Sequence, residues 1–258
     1  MLASVWWVYR HLRPEPRLAG AALTALQFAL YTNAIAVLSY LLAGAFGGPL
    51  LDPQLAAADQ ALGLDWPAWH RWITASPVLW LAVRLIYAAL GPELLVLILL
   101  FNLAGRPERA REFFLLFVCS SFAVVVLGAL LPAAGAFVHY GVAEARTTAY
   151  VQQYLALRQG LRTFDVRGMQ GVVQFPSFHT ALAALCAYAM RGMRRLFPFA
   201  LLLNGLIIAA TPVGGGHHFV DVFAGLLLAA AVAGLVTAGR GSNARALYAG
   251  TRGTPDQR

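Results

Sequence analysis

The chain has 258 residues, is 60% hydrophobic and only 12% charged, and carries a net charge of +8 from nineteen arginines without a single lysine. A soluble domain averages roughly 45–50% apolar and about 25% charged residues, so this composition excludes an ordinary soluble domain and favours membrane spans. The arginines are scattered between apolar segments instead of forming one basic stripe with interleaved aromatics, which argues against nucleic-acid binding and suits orientation in a bilayer.

Six apolar segments, taken in chain order, are predicted to cross the membrane as helices. Stretches of this kind can span about 30 Å of hydrocarbon at about 1.5 Å per residue. The second segment contains Pro92 and carries Arg84 and Glu93, two charges that should face protein, water or the headgroup layer. The approximate limits of the six spans are 20–45, 77–102, 113–138, 177–193, 196–213 and 219–239.

The arginines between the spans predict the orientation of the chain. With six spans, thirteen arginines lie on the side of the two termini and five on the other side, and arginine is enriched in cytoplasmic connections. We therefore expect an all-α membrane helical bundle with six transmembrane helices and both termini cytoplasmic. It forms one domain over residues 1–240, with a motif-bearing core at about 150–225 and a mobile cytoplasmic tail over 241–258.

Two other features of the spans and their connections carry expectations. Trp66, Trp69 and Trp72 recur every third residue in the first outer connection, 46–76, which predicts a short helix at the headgroup layer. Cys119 and Cys186 both lie in apolar runs and are expected to be buried small hydrophobes, since a disulfide scaffold or a zinc site needs more cysteines at closer spacing.

Two short stretches near the fourth and sixth spans combine histidine with helix starts. They are "QFPSFHTALAAL", Gln174–Leu185, and "TPVGGGHHFVDVFAG", Thr211–Gly225. A helical hairpin between them returns His217 to the depth of His179, and Asp221, four residues after His217, shares its helical face. We therefore expect two imidazoles and one carboxylate to meet at a water–lipid boundary, where ionisable groups usually have a function.

The same stretches have features of an anion site. Helix starts offer free backbone N–H groups and the positive end of the helix dipole. Ser177 can cap the fourth span or donate its hydroxyl, and Gly216 with its two preceding glycines allows a close approach to the backbone. An anion site next to a His–Asp pair indicates phosphoryl chemistry.

These residues resemble the type-2 phosphatidic acid phosphatase superfamily of membrane enzymes. The pattern is Pro176-Ser177-Phe178-His179, with phenylalanine where the family has glycine, followed by His217 and Asp221. The form "FPSFHTA" with "GGHHFVDVFAG" is similar to the inositol phosphorylceramide synthase-like branch, the inositolphosphotransferases. The resemblance covers about 150–225 closely and the six-span layout more loosely.

The resemblance implies a mechanism without metal or other cofactor. His217 is the nucleophile that forms a phosphohistidine, Asp221 orients it, and His179 moves the proton to and from the leaving and incoming oxygens. The implied substrate is a lipid phosphate in the bilayer. Water as acceptor gives a lipid phosphatase, and a sugar or glycerol hydroxyl gives a head-group phosphotransferase.

The chain departs from the family pattern in its phosphate-binding residues. It has no lysine, and Ala210-Thr211 stand where the family has a Ser-Arg pair. Arg158 and Arg162, spaced four apart on the outer side, are the candidates for the phosphate, with Arg167 in reserve. The alternative, that they are solvated loop arginines, stays open.

Other functions stay open at the level of sequence. They are a catalytically inactive lipid-binding or assembly protein, a two-histidine, one-carboxylate metal site at His179, His217 and Asp221, and a small-solute transporter.

His218 points about 100° away from His217 on a helix and is expected to be an interfacial or supporting residue. The arginine-only basic set suggests a GC-rich genome and hence a bacterial plasma membrane with a periplasmic site. The lipid and the oligomeric state stay undetermined. His11, His70 and His139 are expected to be interfacial or loop residues.

Overall fold

The structure, a computed structural model, describes residues 1–144, 149–161, 163–164 and 171–250, with side chains up to residue 239. Every regular element in these ranges is a helix, which confirms the predicted all-α fold. The helices are α1 (Leu2–Trp7, continued by a π-helical turn Val8–Leu12), α2 (Pro16–Ala45), α3 (Asp52–Ala61), α4 (Trp66–Thr74), α5 (Pro77–Ala88), α6 (Leu90–Leu103), α7 (Pro107–Leu130), α8 (Ala136–His139), α9 (Ala149–Arg158), α10 (Phe178–Ala189), α11 (Phe197–Gly214) and α12 (Phe219–Gly250).

Five helical segments are long and apolar enough to cross a membrane, which makes the chain an integral membrane protein. They are Pro16–Ala45, Pro77–Leu103, Pro107–Leu130, Phe197–Gly214 and Phe219–Gly239. Helix α10 is apolar but shorter, and counting it as the sixth crossing agrees with the predicted layout. The orientation of the termini stays a prediction.

The limits of two spans differ from the prediction. The third helix covers Pro107–Leu130 instead of 113–138, because proline is favoured in a first turn and because Pro132 disfavours helix at the residue before it. The fourth span was predicted at 177–193 but its helix ends at Ala189. Gly192, at φ +81°, adopts a left-handed conformation that turns the chain out of the helix.

Helix α10 lies at the centre of the bundle, in contact with α6, α7, α11 and α12, and most of its residues are buried. Its Cys186 belongs to the largest core cluster together with Phe101 and Ile207, as expected. Cys119 is exposed, so the expectation that it is buried was wrong. It lies on a face of α7 that the other described helices do not cover.

Polar groups within the spans mostly find partners inside the protein. Glu93 is buried and its Oε1 accepts a hydrogen bond of 2.7 Å from Nδ2 of Asn204, which confirms that this charge faces protein. Arg84 is exposed, and its guanidinium lies 5.7 Å from the ring of Trp80.

The connection between α2 and α5 folds into α3 and α4 and packs onto the end of the bundle. Trp66 is fully buried and donates a hydrogen bond of 3.1 Å from Nε1 to the backbone oxygen of Pro212. The expectation that all three tryptophans lie at the headgroup layer was therefore wrong for Trp66. Trp69 and Trp72 are exposed. The three-residue spacing predicts that the tryptophans share one face of the helix, but it does not predict which of them packs against the protein.

Helix α12 continues from the last span to Gly250, and residues 251–258 lie outside the described ranges. The single-domain boundary at residue 240 and the mobile tail over 241–258 stay predictions.

The close approach of α10 and α12 gives a test of the fold. A Cβ at Gly225 would lie 2.5 Å from the backbone oxygen of Ser177, whereas a Cβ at Gly234, further along the same helix, would meet nothing within 4 Å. We predict that Gly225→Ala lowers the thermal unfolding midpoint in detergent, with an overpacking cost of about 1–3 kcal/mol, while Gly234→Ala does not. Equal midpoints for the two variants would contradict this packing.

Candidate active site

The two motif stretches meet where α10 and α12 begin. The backbone N–H of Ser177 donates a hydrogen bond of 3.1 Å to the backbone oxygen of Asp221. The side chain of Ser177 accepts from the N–H of Thr180 at 3.3 Å and thus caps α10. Ser177 in the first motif is therefore bonded directly to the turn of the second motif that carries Asp221.

His217, two residues before α12, and Asp221, in its first turn, form a buried pair. Nδ1 of His217 lies 3.3 Å from Oδ2 of Asp221, and Asp221 has no solvent-exposed surface. The same Oδ2 accepts a hydrogen bond of 2.9 Å from the backbone N–H of His218. Because a carboxylate only accepts, Nδ1 of His217 carries the proton, which leaves the lone pair on Nε2.

His179 lies in the first turn of α10 and is held by Tyr87 of α5. Its Nε2 is 3.0 Å from the backbone oxygen of Tyr87, and the two rings stack at 3.9 Å between centroids. A carbonyl oxygen also only accepts, so Nε2 of His179 donates and its Nδ1 is left with the lone pair. The two histidines therefore use opposite ring nitrogens for their protein contacts.

Both imidazoles line one cavity of about 380 Å³. One wall is mainly apolar and comes from α2 and α7, with Ile35, Ala36, Val124 and Val125 among its residues. Other elements contribute the polar residues His179, His217, Tyr87, Tyr150 and Gln174. The cavity thus combines apolar residues from two spans with two histidines.

The backbone amides at the two helix starts differ in their availability. The N–H groups of Phe219 and Val220 at the start of α12 each donate to the carboxylate of Asp59 at 2.9 Å. Among the described residues, no carboxylate accepts from the first-turn amides of α10 in this way. Phe178 and His179 in this turn line the cavity, and a helix supplies no acceptor for their amides. Of the two helix starts, α10 is therefore the candidate for an anion.

The predicted phosphate-binding residues are distributed unevenly around the cavity. Among the described lining residues there is no arginine. Arg158 lies elsewhere, where it donates to the backbone oxygens of Phe46 and Gly48 and packs against Tyr154. Arg162 and the reserve candidate Arg167 lie outside the described residues.

Gly216, also predicted to bind phosphate, shapes the turn before His217. It has φ +67°, its oxygen accepts a 2.7 Å hydrogen bond from the N–H of Ala136, and a Cβ there would lie 2.4 Å from the ring of Phe137. Ser177, for its part, is fully buried as a cap and is not among the described residues that line the cavity. Gly216 and Ser177 therefore shape the backbone of the site.

Metal binding is not favoured by the side-chain arrangement. Within the described ranges, no three His, Cys, Asp or Glu side chains are grouped so that they could hold a metal ion. One oxygen of Asp221 is held by His217 and by the backbone of His218, and Nε2 of His179 is held by the Tyr87 carbonyl.

A buried Asp–His–Asp cluster supports the second motif, and sequence reasoning missed its two acids. His218 has no exposed surface; its Nε2 lies 3.4 Å from Asp52 and its Nδ1 lies 3.6 Å from Asp59. Neither contact has the geometry of a hydrogen bond, so both are ion pairs. Asp52 and Asp59 are seven residues, or two helical turns, apart on α3. This spacing places both acids on one face of a helix, and it is the feature of the sequence that could have indicated the cluster.

His218 is therefore a fully buried supporting residue, and not an interfacial one. His139, expected at an interface or in a loop, ends α8 with its ring 5.6 Å from that of His218, and His70 stacks on Trp66 at 5.0 Å. His11 contacts the rings of Trp6 and Trp7 near the N-terminus.

The charge of this cluster follows from its surroundings. Burial by itself lowers the pKa of His218, but the flanking carboxylates of Asp52 and Asp59, helped by Asp221, raise that pKa to about 9. Burial and the neighbouring His218 together lower the pKa of His139, although Asp52 acts in the opposite direction. At neutral pH the buried cluster is thus one imidazolium between two carboxylates.

A protein-family model described as the PAP2 superfamily matches residues 53–235, which is more than half of the chain. No curated protein and no solved structure matches the chain.

The raised pKa of His218 predicts how stability depends on pH. The protonated ring contributes fully below about pH 6.5, its ordinary pKa, and the contribution is lost as the pH rises toward about 9. We expect the wild-type unfolding midpoint in detergent to fall by at least a few degrees over this interval, and the His218→Gln variant to show a flatter profile. Parallel profiles would contradict a charged His218. The groups that face this ring are Asp52, Asp59, His139, Tyr140 and Asp221.

Proposed function

The chain belongs to the PAP2 superfamily, and from this premise we propose that it transfers the phosphoryl group of a membrane lipid phosphate through a covalent intermediate on His217. Family membership supports a lipid phosphatase or phosphotransferase type of function, and the spanning helices put a lipid substrate within reach. The observation that carries the proposal is that His179 and His217 line one cavity while Asp221 is bonded to the far side of His217.

In the first step, Nε2 of His217 attacks phosphorus and the bond from phosphorus to the leaving oxygen breaks. The proton on Nδ1 stays on the ring and points at Asp221, so the positive charge that develops on the imidazole is compensated by a buried carboxylate. His179 takes up a proton from solvent at Nδ1 before the attack and gives this proton to the leaving oxygen. Its Nε2–H remains bonded to Tyr87 throughout.

In the second step, an incoming hydroxyl attacks the phosphohistidine and the N–P bond breaks. Neutral His179 accepts the hydroxyl proton at Nδ1, which leaves it protonated for the next leaving oxygen, while His217 returns to its neutral form. The direct Tyr87 contact and the ring stacking support this role, because they fix which nitrogen of His179 is free. General acid–base catalysis of this type contributes about 10²–10⁴-fold in rate.

The phosphate oxygens are proposed to bind the first-turn amides of α10, at Phe178 and His179. Ser177 and Gly216 contribute by fixing the backbone around these amides and around His217. Positive charge is proposed to come from Arg162, with Arg167 in reserve. Arg158 belongs to this proposal only if it leaves its two backbone acceptors.

The apolar wall of the cavity supports a lipid as the substrate. It is built from α2 and α7 residues within the spans, so an acyl or prenyl chain can lie between these helices while its phosphate reaches the histidines. The proposed location is the periplasmic side of a bacterial plasma membrane.

Gln174 supports a hydroxyl-bearing acceptor. Burial raises the pKa of Tyr150, so its hydroxyl keeps its single proton, which it donates to the oxygen of Gly215 at 3.2 Å. Tyr150 can then only accept from Nε2 of Gln174, at 3.0 Å. Oε1 of Gln174 is left buried without a partner in the described structure, at a residue that lines the cavity. We propose that it becomes accessible to an incoming hydroxyl, which satisfies it, when the substrate enters. We therefore propose head-group transfer, inositolphosphotransferase-like, with hydrolysis as the same reaction on water.

The nucleophile gives the first test. We predict that His217→Ala lowers turnover of the best substrate by more than about 10³-fold while the unfolding midpoint stays within a few degrees of wild type. The panel for this assay is phosphatidate, phosphatidylinositol, phosphorylated ceramide and polyprenyl diphosphate in detergent micelles. His11→Ala, near the N-terminus, is the matched control and keeps wild-type turnover. A fully active His217→Ala protein would overturn the proposal, and a wild type inactive on every lipid would favour the inactive lipid-binding alternative.

The acceptor gives the second test. Gln174→Leu removes the free acceptor atom at nearly constant volume, so we expect the KM for inositol or glycerol to rise by about 3- to 10-fold, the equivalent of about 1 kcal/mol. The exposed Gln54 on α3 provides the control variant Gln54→Leu. If the KM of the lipid rises instead, the hydroxyl that contacts Gln174 belongs to the lipid. Unchanged KM values for the lipid and the acceptor would contradict the role of Gln174.

A further inference from the structure

The two acids of α3 reach two different loops of the site. Asp52 accepts hydrogen bonds from the N–H groups of Ala134 and Gly135 at 2.8 and 2.7 Å. Asp59 accepts from Phe219 and Val220, in the first turn of α12. One short helix, outside the spans, therefore holds both the segment after α7 and the turn after α11.

These two loops are also joined to each other, next to the nucleophile. The N–H of Ala136 donates to the oxygen of Gly216 at 2.7 Å, directly before His217 in the chain. A Cβ at Gly135 would lie 2.7 Å from that same oxygen, so the loops are as close as glycine permits. The position of the His217 backbone thus depends on how firmly α3 holds its surroundings.

His218 lies between the two acids and completes the connection. Its side chain makes both ion pairs, while its backbone N–H donates to the Asp221 oxygen that also holds Nδ1 of His217. Both carboxylates are buried, with 3% and 0% exposure, and a buried charge without a counter-charge is strongly destabilising. Removal of the His218 cation would leave the two carboxylates without their shared counter-charge, next to the turn that carries His217 and Asp221.

We propose that Asp52, His218 and Asp59 form a positioning clamp that sets the orientation of the His217–Asp221 pair from outside the cavity. None of the three clamp residues is among the described residues that line the cavity. They act through the backbone of the 216–221 turn. This inference rests on the proposed catalytic role of His217.

The clamp makes a specific kinetic prediction. In His218→Gln, we expect kcat to fall by about 10- to 100-fold with KM for the lipid within about threefold of wild type, because the nucleophile is misplaced while the cavity is unchanged. Asp59→Asn, which keeps the shape of the acid but loses its charge, is expected to behave in the same direction and serves if His218→Gln does not fold. The substrate is whichever of the four lipids named above wild type turns over fastest.

A control variant separates positioning from general destabilisation. Asp65→Asn lies in the same outer segment, where the acid caps α4 by accepting from Ala68 at 2.8 Å, away from the 216–221 turn. All rates are measured well below the unfolding midpoint of each variant. We expect Asp65→Asn to keep wild-type kcat even where its midpoint falls. Wild-type kcat in folded His218→Gln or Asp59→Asn protein would overturn the clamp.

A spectroscopic readout does not depend on turnover. In protein labelled with ¹⁵N-histidine, the Nδ1 resonance of His217, assigned by its loss in His217→Ala, reports the hydrogen bond to Asp221. We expect it to shift or broaden in His218→Gln and to stay unchanged in Asp65→Asn. An unchanged resonance in His218→Gln would contradict the clamp, whether or not the lipid assay succeeds. If the resonance shifts but the wild-type protein turns over none of the lipids, only the proposed function is contradicted.

Discussion

One carboxylate oxygen, Oδ2 of Asp221, connects the chemistry of the site to its architecture. It accepts from the ring of His217 and from the backbone of His218, two successive residues that face different parts of the protein. The backbone oxygen of the same aspartate accepts from Ser177, at the start of the helix that carries His179. Because Asp221 is fully buried, every one of these bonds forms where water cannot compete. The two histidines therefore share a common anchor.

The need to compensate buried charge explains why the outer helix α3 is where it is. A carboxylate inside an apolar protein must be paired or hydrogen-bonded. Asp52 and Asp59 meet this need with four backbone amides and one imidazolium. The same bonds occupy the N–H groups of Phe219 and Val220 at the start of α12, which is why we propose the start of α10 for the phosphate. In this proposal, one arrangement both supports the nucleophile and leaves the phosphate to α10.

The sequence predicted the helical bundle well because the spans are long, apolar and interrupted by arginine. It also singled out His179, His217 and Asp221, since two histidines at helix starts and an i, i+4 acid are local signals. It did not reveal Asp52 and Asp59, because their partners are more than eighty residues away and an outer-loop acid resembles a solvated one. Trp66 and Cys119 were misjudged for a related reason: periodicity gives a face of a helix, and only tertiary packing decides whether that face is covered.

The account depends most on the proposal that phosphorus is bonded to His217 during turnover. The direct measurement is to quench a reaction of purified protein with a lipid labelled in its phosphate, and to map the label by mass spectrometry of peptides under mildly basic conditions, where a phosphohistidine survives. The proposed mechanism predicts label on the peptide that contains His217 in the wild-type protein and no label in His217→Ala. Turnover of the lipid with no label on His217, or with label on another residue, would contradict it.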